Sequence, residues 1–185
     1  TAGARDAKFD FIGIGVSGPQ IVEGWYGQPW GKPNRRLRDY VAIMKKILRR
    51  EGPVAHEGSE ISLPYKGPGS SGLGKPLKSI LHGNPDIPIY LGTGTPTNIG
   101  MTAEIADGWV SGNKWVPGRE NYYRPILEEG LARRKDGRTM KDFTIYGSVA
   151  VHINANGAWQ ICERFAPGQV LLQKPSARGV PFRLP

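Results

Sequence analysis

The sequence predicts an α/β fold built on a parallel sheet, and three observations carry that expectation. Apolar runs alternate with amphipathic segments in the order strand, helix, strand, helix, strand, helix, strand. Two of the runs, in Phe9–Pro19 (FDFIGIGVSGP) and Ile87–Pro96 (IPIYLGTGTP), break abruptly on glycines. The second break leads straight into Thr95-Pro96, a capping residue followed by proline at the first helical position. In folds of this class functional groups gather at the carboxyl ends of the strands, which is where these glycines fall.

The elements follow in order. Lys8–Val16 reads as a buried strand and Ser17–Lys32 as a long loop carrying Trp25, Tyr26 and Trp30. Asn34 is placed to cap a helix whose Leu37, Tyr40, Val41, Met44 and Leu48 form one apolar stripe, ended by Gly52-Pro53. Val54–Pro64 is a small excursion with His56-Glu57-Gly58 as its turn, and Gly67–Gly74 is a loop. Ile89–Leu91 is the second strand, followed by a short helix over Ile99–Ala106 and a third strand from Trp109 to Gly112. Glu120–Arg134 is a helix with Tyr123, Ile126, Leu127 and Leu131 inward, and Phe143–Ile153 is the fourth strand. Gly157–Pro185 breaks the rhythm, with four prolines and no periodic apolar face, and reads as disordered or loosely attached; a helix over Trp159–Phe165 is the alternative.

Composition narrows the function classes. The chain has 185 residues, enough for one domain with a sizeable core, and 26 glycines with 16 prolines point to many loops or to a domain that is not whole. No apolar run is long enough for a transmembrane helix and no signal peptide is evident. The lone Cys162 excludes an internal disulfide and fits a reducing, cytoplasmic location. The net charge is +9, of which +5 lies in Pro33–Glu51. Without interleaved aromatics that cluster reads as the solvated face of a helix rather than a nucleic-acid site.

Glycines at the strand ends let backbone N–H groups approach a phosphate closely. Gly13, Gly15 and Gly18 also spell G-x-G-x-x-G, but Pro19, Gly24, Gly27, Pro29, Gly31 and Pro33 argue against the helix that a dinucleotide fold needs there. His56, His82 and His152 lack metal-site spacing, so no metal is expected, and no G-x-S-x-G elbow is present.

Four segments resemble the luciferase-like oxidoreductases, in particular the branch that uses the deazaflavin F420: GIGVSGPQIVEGWYG (Gly13–Gly27), GLGKPLKSIL (Gly72–Leu81), IPIYLGTGTPTN (Ile87–Asn98) and AEIADGW (Ala103–Trp109). The similarity spans about Phe9 to Asn154. It implies an incomplete (β/α)8 TIM barrel holding the family's fourth to seventh strands in residues 1–156, with 157–185 as an irregular, non-family tail. It further implies that the cofactor phosphate rests on Gly92, Thr93, Gly94 and Thr95, with another contact at Ser111 and Gly112. Val16, Ser17 and Gly18 would line the ring pocket. Gly18-Pro19-Gln20 stands where relatives often carry a carboxylate, and Glu23 reads better as a loop residue, so no catalytic acid or base is assigned.

The function so implied is hydride transfer between F420 and a small organic substrate. FMN-dependent monooxygenation with molecular oxygen is its sibling, and no nucleic acid or membrane partner is expected. A basic, non-enzymatic binding module and an inactive fragment are the competing classes, and a homo-oligomer remains open. A binding module would show nucleic-acid affinity that falls steeply with salt.

Overall fold

The structure is a computed structural model; it describes residues 11–80, 82–116, 118–147, 151–153 and 159–161. Four parallel strands make one sheet: β1 (Ile12–Gly15), β4 (Ile89–Gly92), β5 (Gly108–Gly112) and β6 (Thr144–Gly147), in the spatial order β1-β4-β5-β6. Helices α2 (Pro33–Arg49), α3 (Pro96–Ile105) and α4 (Glu120–Ala132) cover one face. β1, β4 and β5 are each thus followed by the helix that returns the chain for the next strand of the sheet, the α/β rhythm expected from the sequence.

Period-2 alternation sorts the strand side chains. Ile12, Ile14 and Leu91 face the helices and pack with Leu37 and Val41 of α2 and Met101 of α3. Trp109 faces them too, fully buried among Ile99, Ala103, Leu127, Leu131 and Phe143. α3 therefore contributes to two clusters and sits between α2 and α4. Against α4 the approach is close: a side chain at Gly130 would put its Cβ 2.7 Å from Ala103 Cβ and against the Gly100 carbonyl.

The opposite face is concave. β1 and β6 are the sheet's two outer strands, about 14 Å apart if the sheet were flat. Yet the Phe11 and Tyr146 rings stand 6.1 Å apart, and Phe11 stacks on Tyr90 at 4.7 Å. Only strong curling brings them together, as in a barrel wall. Gly108 makes room for this, since a Cβ there would lie 2.7 Å from the Tyr90 ring.

The amino ends of the strands are tied down. Asp107 accepts from the Ile89 amide at 2.9 Å and pairs with Arg138. Arg134 donates to the Ala103 and Ala106 carbonyls (3.1 and 2.6 Å) and Lys45 to that of Ile105 (3.0 Å), capping the end of α3. Glu104 joins three helices' worth of structure by pairing with Arg38 (2.6 Å) and Arg133 (3.1 Å).

Several expectations are corrected. The first strand begins at Ile12 and is a half-buried outer strand, since its second face carries only Gly13 and Gly15; Lys8–Asp10 lie outside the described residues. α2 starts at Pro33, with Lys32 at the cap, because proline's fixed φ suits the first helical position; this leaves Asn34 inside the helix. Tyr40 of the expected stripe is exposed, while Asp39 and Ile43 are buried. The cause is a hairpin, β2 (His56–Glu57) with β3 (Ser62–Leu63), that docks on a second side of α2. His56-Glu57 is thus strand, and the turn follows it, closed by Gly58 N–H donating to Ile61 O. The single strand expected over Phe143–Ile153 is two: β6, and β7 (Val151–Ile153) in a separate antiparallel pair with β8 (Trp159–Ile161). Trp159–Ile161 is therefore strand, neither helix nor disordered. The rest of 157–185 lies outside the described residues. Among the described residues no helix is long and apolar enough to cross a membrane.

The hairpin hangs on Asp39, whose carboxylate accepts from the Glu60 and Ile61 amides (2.8 and 2.9 Å) and from His56 Nε2 (3.2 Å). Burial pushes this carboxyl up, but the two amides and His56 together outweigh it and hold it below its ordinary value. Its contribution is therefore complete above the ordinary carboxylate pKa and is lost as pH falls through the lower folded value. Amide protection at Glu60 and Ile61, taken relative to the intrinsic exchange rate at each pH, is expected to fall selectively under acid, and Asp39→Ala to remove it at neutral pH. Gly130→Ala is expected to destabilise by about 1–3 kcal/mol in urea melts, because the α3–α4 contact has no room for a methyl group.

Candidate functional site

Parallel register puts the carboxyl ends of β1, β4 and β5 and the starts of their following helices on one rim. Gly15 pairs with Gly92 and Gly92 with Val110. A Cβ on Gly15 would lie 3.6 Å from the Gly92 carbonyl. The two glycine-ended segments singled out in the sequence are therefore neighbours, and their bare backbones form one wall of the concave face above the Phe11–Tyr90 stack.

Beyond Gly15, Ser17 adopts a left-handed φ of 61°, uncommon for a residue with a side chain. Gly18 then starts α1 (Pro19–Val22), a single turn in a region expected to be loop. Pro19 permits it because the first helical position needs no N–H donor. Glu23 ends the turn, and its Oε1 accepts from the Trp30 amide at 3.3 Å, folding the loop back. Trp25 and Tyr26 are 75% and 67% exposed, so they do not pack this loop onto the sheet.

After β4 the chain turns through Thr93, Gly94 and Thr95 into α3. A buried string of polar groups holds this turn from below. The Thr102 hydroxyl donates to the Asn98 carbonyl at 2.9 Å, so Thr93 Oγ1, 2.8 Å from Thr102 Oγ1, is the donor in their bond. Trp109 Nε1 donates to the Thr93 carbonyl at 3.0 Å. Thr95 caps α3 by accepting from the Asn98 amide at 3.4 Å. Pro96 has no N–H. The amides of Gly94, Thr95 and Thr97 have no hydrogen-bond partner among the described residues. They sit at the positive end of a ten-residue helix with no acidic residue in its first turn.

After β5, Ser111 is buried and its hydroxyl donates to the Tyr146 carbonyl at 3.1 Å. Its proton thus fastens β5 to β6, while Gly112 turns the chain with a φ of 59°. Lys114 closes this turn by donating its amide to Ser111 O at 3.1 Å. Its stem runs past the first turn, with Cε 3.4 Å from where a Gly94 Cβ would lie.

Val16, Ser17, Gly18, Gly92, Thr93, Gly94, Thr95, Ser111 and Gly112 are thus brought to one rim, but they do different things. The Thr93 and Ser111 hydroxyls are spent on the fold, and the backbone amides of Gly94, Thr95 and Thr97 remain free. That donor set suits an oxyanion such as a phosphodiester, and the glycine wall suits a flat ring. None of the nine residues titrates, so they bind and orient without moving a proton. Sequence reasoning missed Thr102 and Trp109, which only folding brings under the turn; the one hint was the i, i+4 spacing of Asn98 and Thr102. It also misplaced Asn34, whose Nδ2 donates to Asn98 Oδ1 at 2.6 Å across 64 residues of chain.

The sequence profile of the family described as luciferase-like monooxygenase matches residues 11–178, which includes part of the 157–185 segment. A Mycobacterium tuberculosis protein bearing the name coenzyme F420-dependent oxidoreductase is 44% identical over 148 residues, 80% of this chain and 42% of its own length. The 5,10-methylenetetrahydromethanopterin reductase of Archaeoglobus fulgidus is 29% identical over 140 residues, 76% of this chain and 38% of its own. This chain therefore spans about two-fifths of these relatives. Among solved structures, the coenzyme F420-dependent tetrahydromethanopterin reductase of Methanopyrus kandleri superposes with a TM-score of 0.56 at 21% identity, covering 74% of this chain and 40% of that one. An F420-dependent secondary alcohol dehydrogenase in complex with an F420-acetone adduct gives 0.56 at 16%, covering 74% and 38%. These likenesses support the barrel-type fold, of which the four parallel strands are an incomplete, unclosed portion.

The buried string gives a direct test. Thr102→Val leaves the Thr93 hydroxyl without its acceptor and is expected to cost about 1–3 kcal/mol in urea melts, with faster amide exchange at Thr93 and Gly94; Thr102→Ser is expected to recover most of the loss.

Proposed function

Because the chain belongs to the luciferase-like monooxygenase family, we propose that it is the part of an F420-dependent oxidoreductase that grips the cofactor at the carboxyl rim. The observation that carries this reading is the trio of free amides at Gly94, Thr95 and Thr97 beside the paired glycine ends of β1 and β4. Bound there, the deazaflavin would supply hydride chemistry that amino-acid side chains lack.

This chain's own residues would bind and orient. The turn at Gly92–Thr95 would take the phosphodiester, its amides pre-aimed by the Thr93–Thr102 and Trp109 bonds. Gly15, Val16, Ser17 and Gly18 would border the ring, and the rigid turn would fix its distance from the aromatic floor. Gly112 would complete the rim, with Ser111 acting through its hold on β6. The substrate is a small organic molecule able to give or take hydride. Most of its contacts would come from barrel strands that the relatives possess outside the matched region.

The family's monooxygenase description favours one second reading, in which FMN and molecular oxygen take the place of F420. The F420 reading has the support of the names carried by the Mycobacterium tuberculosis relative and by both solved structures. Titration of this chain and of a full-length relative with F420 and with FMN, followed by fluorescence, separates the two. Tighter binding of F420 and no oxygen uptake during turnover of the relative are expected; preferential FMN binding with oxygen uptake would overturn the reading. Gly94→Asp, which sets a carboxylate among the free amides, is expected to weaken F420 binding about tenfold or more with little change in Tm.

A further inference from the structure

The start of α2 carries charge where helix physics disfavours it. Lys32 caps the helix, Arg35 and Arg36 lie in its first turn, and no acidic residue accompanies them. Cations at a helix N-terminus oppose its macrodipole. The other basic residues of this helix have visible employment. Arg36 donates to the Trp30 and Pro29 carbonyls, Arg38 pairs with Glu104, and Lys45 and Lys46 donate to the Ile105 and Ala55 carbonyls. Arg49 lies in the last turn, where the dipole welcomes it. Lys32 and Arg35 are exposed, with no side-chain hydrogen bond or ion pair among the described residues.

Asn34, between them, ties this helix start to the next one by its bond to Asn98 at 2.6 Å, three residues beyond the α3 cap. Its own Oδ1 is fully buried and has no partner among the described residues. A pair that leaves a buried acceptor unpaired is a poor source of stability and calls for another explanation. What the pair achieves is placement: it holds a helix start with two uncommitted cations beside one with three uncommitted amides.

We propose that Lys32 and Arg35 extend the rim into a site for a ligand bearing a string of anions, taking carboxylates that follow a phosphodiester seated on Gly92–Thr95. F420 has that chemistry, since a chain of glutamates follows its phosphodiester. The inference rests on the cofactor reading above and goes beyond it by assigning where the tail lies.

The test is a Lys32→Glu/Arg35→Glu double variant of this chain, with Lys32→Gln/Arg35→Gln as its milder partner. The probes are F420 with several glutamates, F420 without glutamate and inorganic tripolyphosphate, followed by amide chemical shifts and by Kd at two salt concentrations. Tm is expected to hold or rise, because the charges now suit the dipole. Affinity for glutamate-bearing F420 is expected to fall about tenfold or more with a shallower salt dependence, while the glutamate-free form binds within about twofold of the parent. Unchanged affinity and salt dependence in the double variant would overturn the inference while leaving the cofactor reading intact. Silence of the parent's residue 32–36 amides toward every probe would overturn it as well. If tripolyphosphate moves those amides in the parent but not in the variant, and F420 does not bind, the tail surface stands and the cofactor reading falls.

Discussion

The parallel pairing of β1 with β4, in register from Ile12 opposite Ile89 to Gly15 opposite Gly92, is the constraint on which the rest depends. Because the strands run the same way, both must be followed by a returning helix, and both helices must start on the same rim. Two segments 77 residues apart in register, separated by α1, α2 and a hairpin, thereby become one surface. The glycines at their ends then acquire a meaning that neither has alone. Bare backbone on one strand lies beside bare backbone on the next, and the helix start that follows the second strand leaves its free amides at the same rim.

The molecule divides its polar chemistry between the two ends of that sheet. At the amino end the buried and half-buried groups are matched: Asp107 with Arg138 and the Ile89 amide, Arg134 and Lys45 with the last carbonyls of α3, Glu104 with two arginines. The Arg38 and Arg133 guanidiniums hold the Glu104 carboxyl below its ordinary value against the opposing effect of burial. At the carboxyl end the groups beneath the surface are equally well matched, through Thr93, Thr102 and Trp109, yet the surface amides are not. A fold that satisfied all of its donors at both ends would have nothing left with which to bind an anion. Rigidity below and unsatisfied donors above are the two halves of a preorganised site.

The positive charge of the chain follows the same division. Much of the +5 cluster on α2 is spent on carbonyls and carboxylates of neighbouring elements, so it is not the uniform solvated face expected from the sequence. What remains uncommitted lies at the helix start, on the rim. Local pairing, rather than net charge, decides which cations are available to a ligand.

The order of strands and helices, the glycine breaks and the Thr95-Pro96 start were legible in the sequence because each rests on local chemistry: period, φ freedom and capping. So was the likeness in segments such as IPIYLGTGTPTN. The misjudged elements share a different cause. Asp39 and Ile43 look like ordinary positions on the far side of α2 until a hairpin docks there and supplies two amides and a histidine. Asn34 looks like a cap until its partner proves to be Asn98. Residues 143–153 read as one strand because a break between sheets leaves no local mark. By itself the sequence determined which segments are strands and helices and where the chain must be bare. Only the tertiary structure decided which bare ends meet, which hydroxyls are consumed and which amides stay free, because hydrogen-bond partners distant in the chain are chosen by packing.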